Sequence, residues 1–385
     1  MVKTPIYLDY QSTTPMDERV LDAMMPYLTS KFGNPHSSTH RFGWEAEAAL
    51  DIAREQVSDV IGAKAEEIYF TSGATEANNL AIKGIMDVWG SKKPHMVTVV
   101  TEHKCVLEAA RATEKMGCRV TYLPVNPNGL IDLKQLEEAV TAETALVSVM
   151  AVNNEIGVIQ PLAEIGAICR EKGALFHTDA AQGFGKVPLD VEAMKIDLMS
   201  ISGHKIYGPK GVGALYKRSG RQTALTPQMS GGGQEGGIRS GTQAPALVAG
   251  FGVAASLCKA EMAQERDRLA KMMNRLKSRL FKALPKLVVN GDEEVRWVGN
   301  LNISFPGLDG DLLLANIRSL AVSSGAACAS AVSGPSYVLQ AIGRTDALSK
   351  SALRIGIGRF TTDDEVDFAA ETLISAVKTM GGLKP

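Results

Sequence analysis

The sequence predicts an α/β fold, a mainly parallel sheet covered by helices, followed by a smaller α+β unit. Two observations carry that prediction. From about residue 65 to residue 260, apolar runs of strand length alternate with longer amphipathic stretches, the pattern of strands joined by crossover helices. The polar and titratable residues then gather directly after those strands, where open parallel sheets collect their ligands.

Taken in order, the expected strands are Glu67–Thr71, His95–Thr101, Arg119–Pro124, Ala145–Val152, Leu175–Thr178, Asp197–Ser202 and Gly213–Tyr216. Each is a short apolar run of strand length. Between them, Ala74–Val88, Lys104–Lys115, Leu133–Val140 and Leu162–Lys172 carry apolar residues at helical spacing. Residues 244–284 read as one long helical stretch, charged from Lys259 onward, joining the large unit to the small one. The expected division is a large unit over 15–258 and a small one from 1–14 with 259–385.

The composition excludes several classes. With 385 residues, 45% apolar and 22% charged, the chain can bury a core without metal or disulfide staples. Lys and Arg (41) balance Asp and Glu (42), so no basic surplus drives binding to nucleic acid. The five cysteines, at 105, 118, 169, 258 and 328, share no CxxC spacing, which argues against a secreted disulfide framework. The start, Met1 to Tyr7, lacks the apolar core of a signal peptide, and the longest uncharged run, Ser319 to Gly343, is too weakly apolar to span a bilayer. A cytoplasmic protein without a membrane partner is expected.

Five strand ends carry chemistry. Thr71-Ser72-Gly73-Ala74-Thr75-Glu76 follows the first strand, and Thr101-Glu102-His103 the second. Asn153-Asn154-Glu155, His177-Thr178-Asp179-Ala180-Ala181-Gln182 and Ser202-Gly203-His204-Lys205 follow three others. The first, with a helix starting near Ala74, suits an anion on free helical N–H groups, although Ser or Thr before a helix is also an ordinary cap. Asp179 by itself reads as a turn carboxylate. With His177 and either His103 or His204 it also matches a two-His, one-carboxylate metal site, but such sites favour antiparallel folds. Lys205 directly after a strand suits an amine of lowered pKa, whereas Lys210, between Pro and Gly, reads as a surface charge. Phosphate cradle, carboxylate and amine together match the needs of pyridoxal phosphate.

These segments, in this order, resemble the cysteine desulfurases of the NifS/IscS type, fold-type I pyridoxal phosphate enzymes akin to class-V aminotransferases. The resemblance begins at Tyr7-Leu8-Asp9-Tyr10-Gln11-Ser12-Thr13-Thr14-Pro15 and runs through the five segments above. It continues in Gly231-Gly232-Gly233-Gln234-Glu235, Arg239-Ser240-Gly241-Thr242 and Ser323-Ser324-Gly325-Ala326-Ala327-Cys328, ending in Leu353-Arg354-Ile355-Gly356-Ile357-Gly358-Arg359-Phe360. It implies a PLP-dependent transferase fold of type I and conversion of L-cysteine to L-alanine, with the sulfur passing to a cysteine persulfide. Lys205 would carry the cofactor and move the Cα proton, Asp179 would pair with the ring nitrogen, Gln182 would bond the ring hydroxyl, and His103 would lie over the ring face. Ala74, Thr75, Ser202 and His204 would hold the phosphate, joined by Thr242 from the other subunit of a homodimer. Asn154 would sit near cofactor and substrate, and Arg354 would clamp the substrate carboxylate, for which a bidentate guanidinium is suited. Cys328, among small residues on an expected flexible loop at about 323–335, would be the sulfur-accepting nucleophile. The other four cysteines read as small buried hydrophobes.

An iron–sulfur scaffold or other sulfur acceptor protein is the implied partner. A selenocysteine lyase or another aminotransferase-type enzyme would share Lys205 and Asp179 without needing Cys328. A nucleotide-loop reading of Gly231–Gly241 lacks the strand that should run into it. The family pattern commonly has Arg where this chain has Gly236.

Overall fold

A computed structural model describes residues 2–324 and 334–382; Cys328 and most of its loop lie outside the described residues. The chain opens with Ile6–Tyr7 (β1), followed by helices Glu18–Leu28 (α1) and Arg41–Val60 (α2). Asp17 starts α1 by accepting the Arg19 N–H, and the His40 ring does the same for Gly43 at the start of α2, each satisfying an otherwise orphaned helical donor.

The central sheet then forms from Ile68–Thr71 (β2), His95–Val99 (β3), Arg119–Leu123 (β4), Thr144–Ser148 (β5), Leu175–Asp179 (β6), Leu198–Ser202 (β7) and Gly213–Lys217 (β8). Every expected strand is present, and the order is β2-β8-β7-β6-β5-β3-β4. Only β8 runs against its neighbours. β3, β5 and β7 are buried throughout, as strands with both faces covered must be. Ala74–Trp89 (α3), Lys104–Lys115 (α4), Leu133–Ala139 (α5) and Leu162–Lys172 (α6) supply the cover. Two strands end at least two residues earlier than expected, β3 at Val99 and β5 at Ser148. Beyond Ser148 the Val149 and Ala151 N–H groups still bond His177 and Asp179 O, so the chain keeps tracking β6 past the end of β5.

Pro245–Ala283 (α7) is one continuous 39-residue helix, within which the division expected at 258/259 falls. Its N-terminal half is long and apolar enough to cross a bilayer by length and composition. Here that half is a core element packed on α1 and α2. A Cβ at Gly252 would stand 2.6 Å from Ala53 Cα, so the close approach of α7 to α2 needs glycine. Beyond α7 a four-stranded antiparallel sheet follows, from Val288–Val289 (β9), Asn300–Ser304 (β10), Ser323–Ser324 (β12) and Ala352–Gly356 (β13), in the order β12-β13-β10-β9. Leu320–Ala321 (β11) pairs in parallel with β1, which ties the N-terminal arm to this part of the molecule. The C-terminal helix Asp363–Thr379 begins with a capping box between Thr362 and Glu365.

Candidate active site

At the carboxyl end of the sheet, Thr71, Gly213 and Ser202 lie in register across β2, β8 and β7. A Cβ at Gly213 would come within 2.7 Å of Gly73 Cα, so this glycine lets the start of α3 drop onto the strand ends. The N-terminus of α3 has no side-chain cap, and it opens into a cavity of about 510 Å³. That cavity gathers Ser72–Glu76, His103, Asn154, Asp179, Gln182, Ser202, His204, Lys205 and Arg354. All five strand-end segments therefore meet at one place.

Asp179 closes β6 and is 4% exposed. Its Oδ1 accepts the Ala181 N–H at 2.9 Å and its Oδ2 the Asn78 amide at 2.7 Å. Among the described residues no cation pairs with it, so this buried carboxylate calls for a positive partner from a ligand. Lys205 Nζ donates to the carbonyls of Gln11 and Ser12, each at 2.6 Å, on the N-terminal arm. His204 Nδ1 lies 3.0 Å from Thr13 Oγ1. Burial first, then the charge of Lys205, hold the His204 ring down to about 4, so it is neutral at physiological pH.

His103 caps α4 with its ring: Nδ1 accepts the Cys105 N–H at 3.3 Å and lies 2.9 Å from Cys105 Sγ. A ring nitrogen that accepts a backbone N–H carries no proton, which leaves the neutral ring protonated on Nε2. Burial lowers the His103 pKa, opposed by Asp179. Arg354, in the interior strand β13, is 2% exposed. It donates to Asn154 O at 2.9 Å, Asp9 Oδ1 at 2.8 Å and Ser323 Oγ at 3.3 Å. Its Nε and the Asn154 Oδ1 are buried without a partner among the described residues, and both residues line the cavity.

An uncapped helix start, an amine, a buried unpaired carboxylate and orphaned polar atoms on one cavity form a set that fits pyridoxal phosphate. The metal reading is not assembled. His177 sits between Ser148 Oγ at 2.8 Å and Ser200 Oγ at 3.0 Å inside the sheet, and no group of three or more metal-ligating side chains occurs among the described residues.

Thr242 is exposed and lies outside this cavity. The Gly231–Gly241 segment is pinned by Glu235, which accepts from Arg54 at 2.9 Å and from the Phe70 N–H at 2.9 Å. Gly236 has φ +62 with open space around it, a backbone state that glycine adopts freely and arginine does not. Two expectations need correction. Cys105 lines the cavity and contacts His103 rather than filling the core, and Cys118 is only half-buried. Sequence reading also passed over Asn78, the N-terminal arm carbonyls and Lys186. Only Asn78 left a signal, one helical turn after Ala74.

Comparisons with known proteins agree with this geometry. The class-V aminotransferase family model matches residues 6–368. Over 381 residues, 99% of this chain and 93% of the relative, the chain is 55% identical to the cysteine desulfurase IscS of Rickettsia africae (strain ESF-5). It superposes on a solved NifS-like protein with a TM-score of 0.91 at 34% identity, covering 97% of this chain and 99% of that one. For the structure of SspA in complex with cysteine the TM-score is 0.83 at 38% identity, covering 93% and 100%.

Proposed function

From the premise that this chain belongs to the class-V aminotransferase family, among its pyridoxal-phosphate-dependent cysteine desulfurases, we propose how its residues divide the conversion of L-cysteine to L-alanine. The observation that carries the reading is the single cavity on which Lys205, Asp179, His103 and Arg354 converge. Bound there, pyridoxal phosphate supplies an electron sink for the pair left at the substrate Cα.

The start of α3 at Ala74 and Thr75, with Ser202 and His204, holds the phosphate. Asp179 balances the ring nitrogen, Gln182 donates to the ring hydroxyl, and Asn154 stands at the cofactor and substrate. Arg354 receives the substrate carboxylate on its unpaired Nε face, three of its other N–H groups being fixed by Asn154, Asp9 and Ser323. Lys205 takes the Cα proton. His103, its Nδ1 held by the Cys105 N–H, presents its Nε2–H as a hydrogen-bond donor to the reacting sulfur. The Cys328 thiolate attacks the substrate sulfur: the S–S bond forms as the C–S bond breaks. The electron pair of that bond stays with the carbon skeleton, where Cβ takes up the proton released by the Cys328 thiol and Cα regains the one held by Lys205, and L-alanine leaves.

A homodimer completes the site in this reading. Thr242 is exposed, and the neighbouring segment, tied to it through His36 Nε2 and Gln243 Oε1 at 2.7 Å, exposes Phe32, Phe42 and Trp44 by 69%, 49% and 53%. A second copy that covers these rings brings Thr242 toward its neighbour's phosphate. The persulfide then passes to an acceptor such as an iron–sulfur scaffold, in the cytoplasm.

Mass spectrometry after L-cysteine treatment tests the reaction. One sulfur atom added at Cys328 is expected, and Cys328→Ser keeps the bound cofactor's visible absorbance while losing the adduct. Sulfide release undiminished in that variant, with cysteine as the only thiol, would refute the role.

A further inference from the structure

Behind Gln182, off the cavity wall, lies a lysine without a role in the reaction described above. The chain makes one helical turn after β6: the Gly183 and Phe184 amides bond Ala180 O, and the Lys186 and Val187 amides bond Gly183 O. That turn sets Lys186 beside Gln182, and Lys186 Nζ donates to Gln182 Oε1 at 2.9 Å. Lys186 is 7% exposed and forms no ion pair among the described residues. Burial first, then repulsion by Lys205, lower its amine to about 7. An amine is a costly way to fill such a space, so its hydrogen-bonding direction is the property that matters.

As an ammonium Lys186 only donates, and as a neutral amine it still directs an N–H at Gln182 Oε1, so the amide oxygen of Gln182 faces it. On the other side the Gln11 carbonyl only accepts, and it takes Gln182 Nε2 at 2.7 Å. Gln11 O is a shared acceptor, because Lys205 Nζ also donates to it at 2.6 Å. The Lys186 contact is the one that engages Oε1. With Oε1 held, the second N–H of Gln182 is available to the cavity that the residue lines.

We propose that Lys186 is a positioning residue that locks the Gln182 amide with its carbonyl inward, so that this wall of the cavity offers a donor and no acceptor. The proposal rests on the reading above, in which Gln182 meets the ring hydroxyl. An ionised hydroxyl accepts, and a flipped amide would turn its oxygen on two other oxygens, Gln11 O and the hydroxyl, and its N–H groups on the Lys186 donor.

A double-mutant cycle on the full-length protein tests it. Cofactor affinity of the cofactor-free protein and the pH midpoint of the bound cofactor's visible absorbance are measured for wild type, Lys186→Met, Gln182→Ala and the double variant. Lys186→Met is expected to weaken cofactor binding about tenfold and to move the midpoint. In the Gln182→Ala background the same change should do neither. The cofactor-free Lys186→Met protein should melt at or above the wild-type temperature, since a buried amine has been removed. Additive effects, or a lower melting temperature with unchanged affinity, would overturn the proposal and leave Lys186 a packing residue. No effect of Gln182→Ala alone would instead strike the hydroxyl contact and the reading beneath it. Should Lys186→Met not fold, Gln182→Glu is compared with Gln182→Met. The locked carboxylate then turns an acceptor to the hydroxyl and should bind cofactor more weakly than the methionine variant; equal or tighter binding overturns the lock.

Discussion

At the scale of single residues, chemistry here depends on what the neighbours leave unpaired. Arg354 is held through its Nη groups and bare at Nε, so its planar fork is already aimed when a substrate carboxylate arrives. Arg354→Lys keeps the charge but has neither the fork nor the reach to hold Asn154, Asp9 and Ser323 together. We expect it to raise KM for L-cysteine about 10- to 100-fold with a smaller change in kcat; steady-state kinetics check this, and an unchanged KM would remove Arg354 from the clamp. Lys205, Asp179 and His103 were legible in the sequence because each stands at or shortly beyond the carboxyl end of a strand. Cys105 and Lys186 were not, because a thiol or an amine gains a role only from the partner that tertiary packing sets beside it.

Elements meet through absences of side chain as much as through presence. At Gly252 an added methyl would strike Ala53 Cα and Cβ at 2.6 and 2.7 Å, atoms that cannot move without shifting α2. At Gly250, two residues earlier, it would meet Cγ and Sδ of the Met24 side chain, which rotates where a backbone does not. Gly252→Ala should therefore cost about 1–3 kcal/mol, read as a lowered thermal midpoint, and Gly250→Ala distinctly less. Equal losses at the two sites would show that α2 and α7 are not in rigid contact. The strands of the large sheet and α3, α4, α6 and α7 were legible from periodicity. The two-residue strands β9 and β12 were not, since a pair of residues carries no period and owes its state to the strand beside it.

For the molecule as a whole, buried ionisable groups couple stability to pH. Burial lowers His177 to about 3 from 6.5. Between those values the unfolded chain binds a proton that the folded one refuses, so the His177 contribution falls as pH falls through that window, by up to about 1.4 kcal/mol per pH unit. Glu155 acts oppositely: burial raises it to about 7 from 4.5, so the stability it adds is lost as pH rises from 4.5 to 7. His177→Asn, with an amide placed between Ser148 and Ser200, should make the fall in unfolding free energy from pH 6.5 to 4 shallower in denaturant titrations. A steeper or unchanged fall would contradict a neutral buried imidazole.

Local pattern alone determined that this chain forms a parallel α/β sheet and that hydroxyls, carboxylate, imidazole and amine stand at its strand ends, because periodicity and strand position are properties of neighbouring residues. Only the folded chain decided that five such ends face one cavity, that Arg354 from β13 and carbonyls of the N-terminal arm complete it, and which nitrogen of His103 bears the proton. Those facts depend on strand order and on contacts such as that between Asp9 and Arg354, 345 positions apart, and no local pattern encodes a distance of that kind.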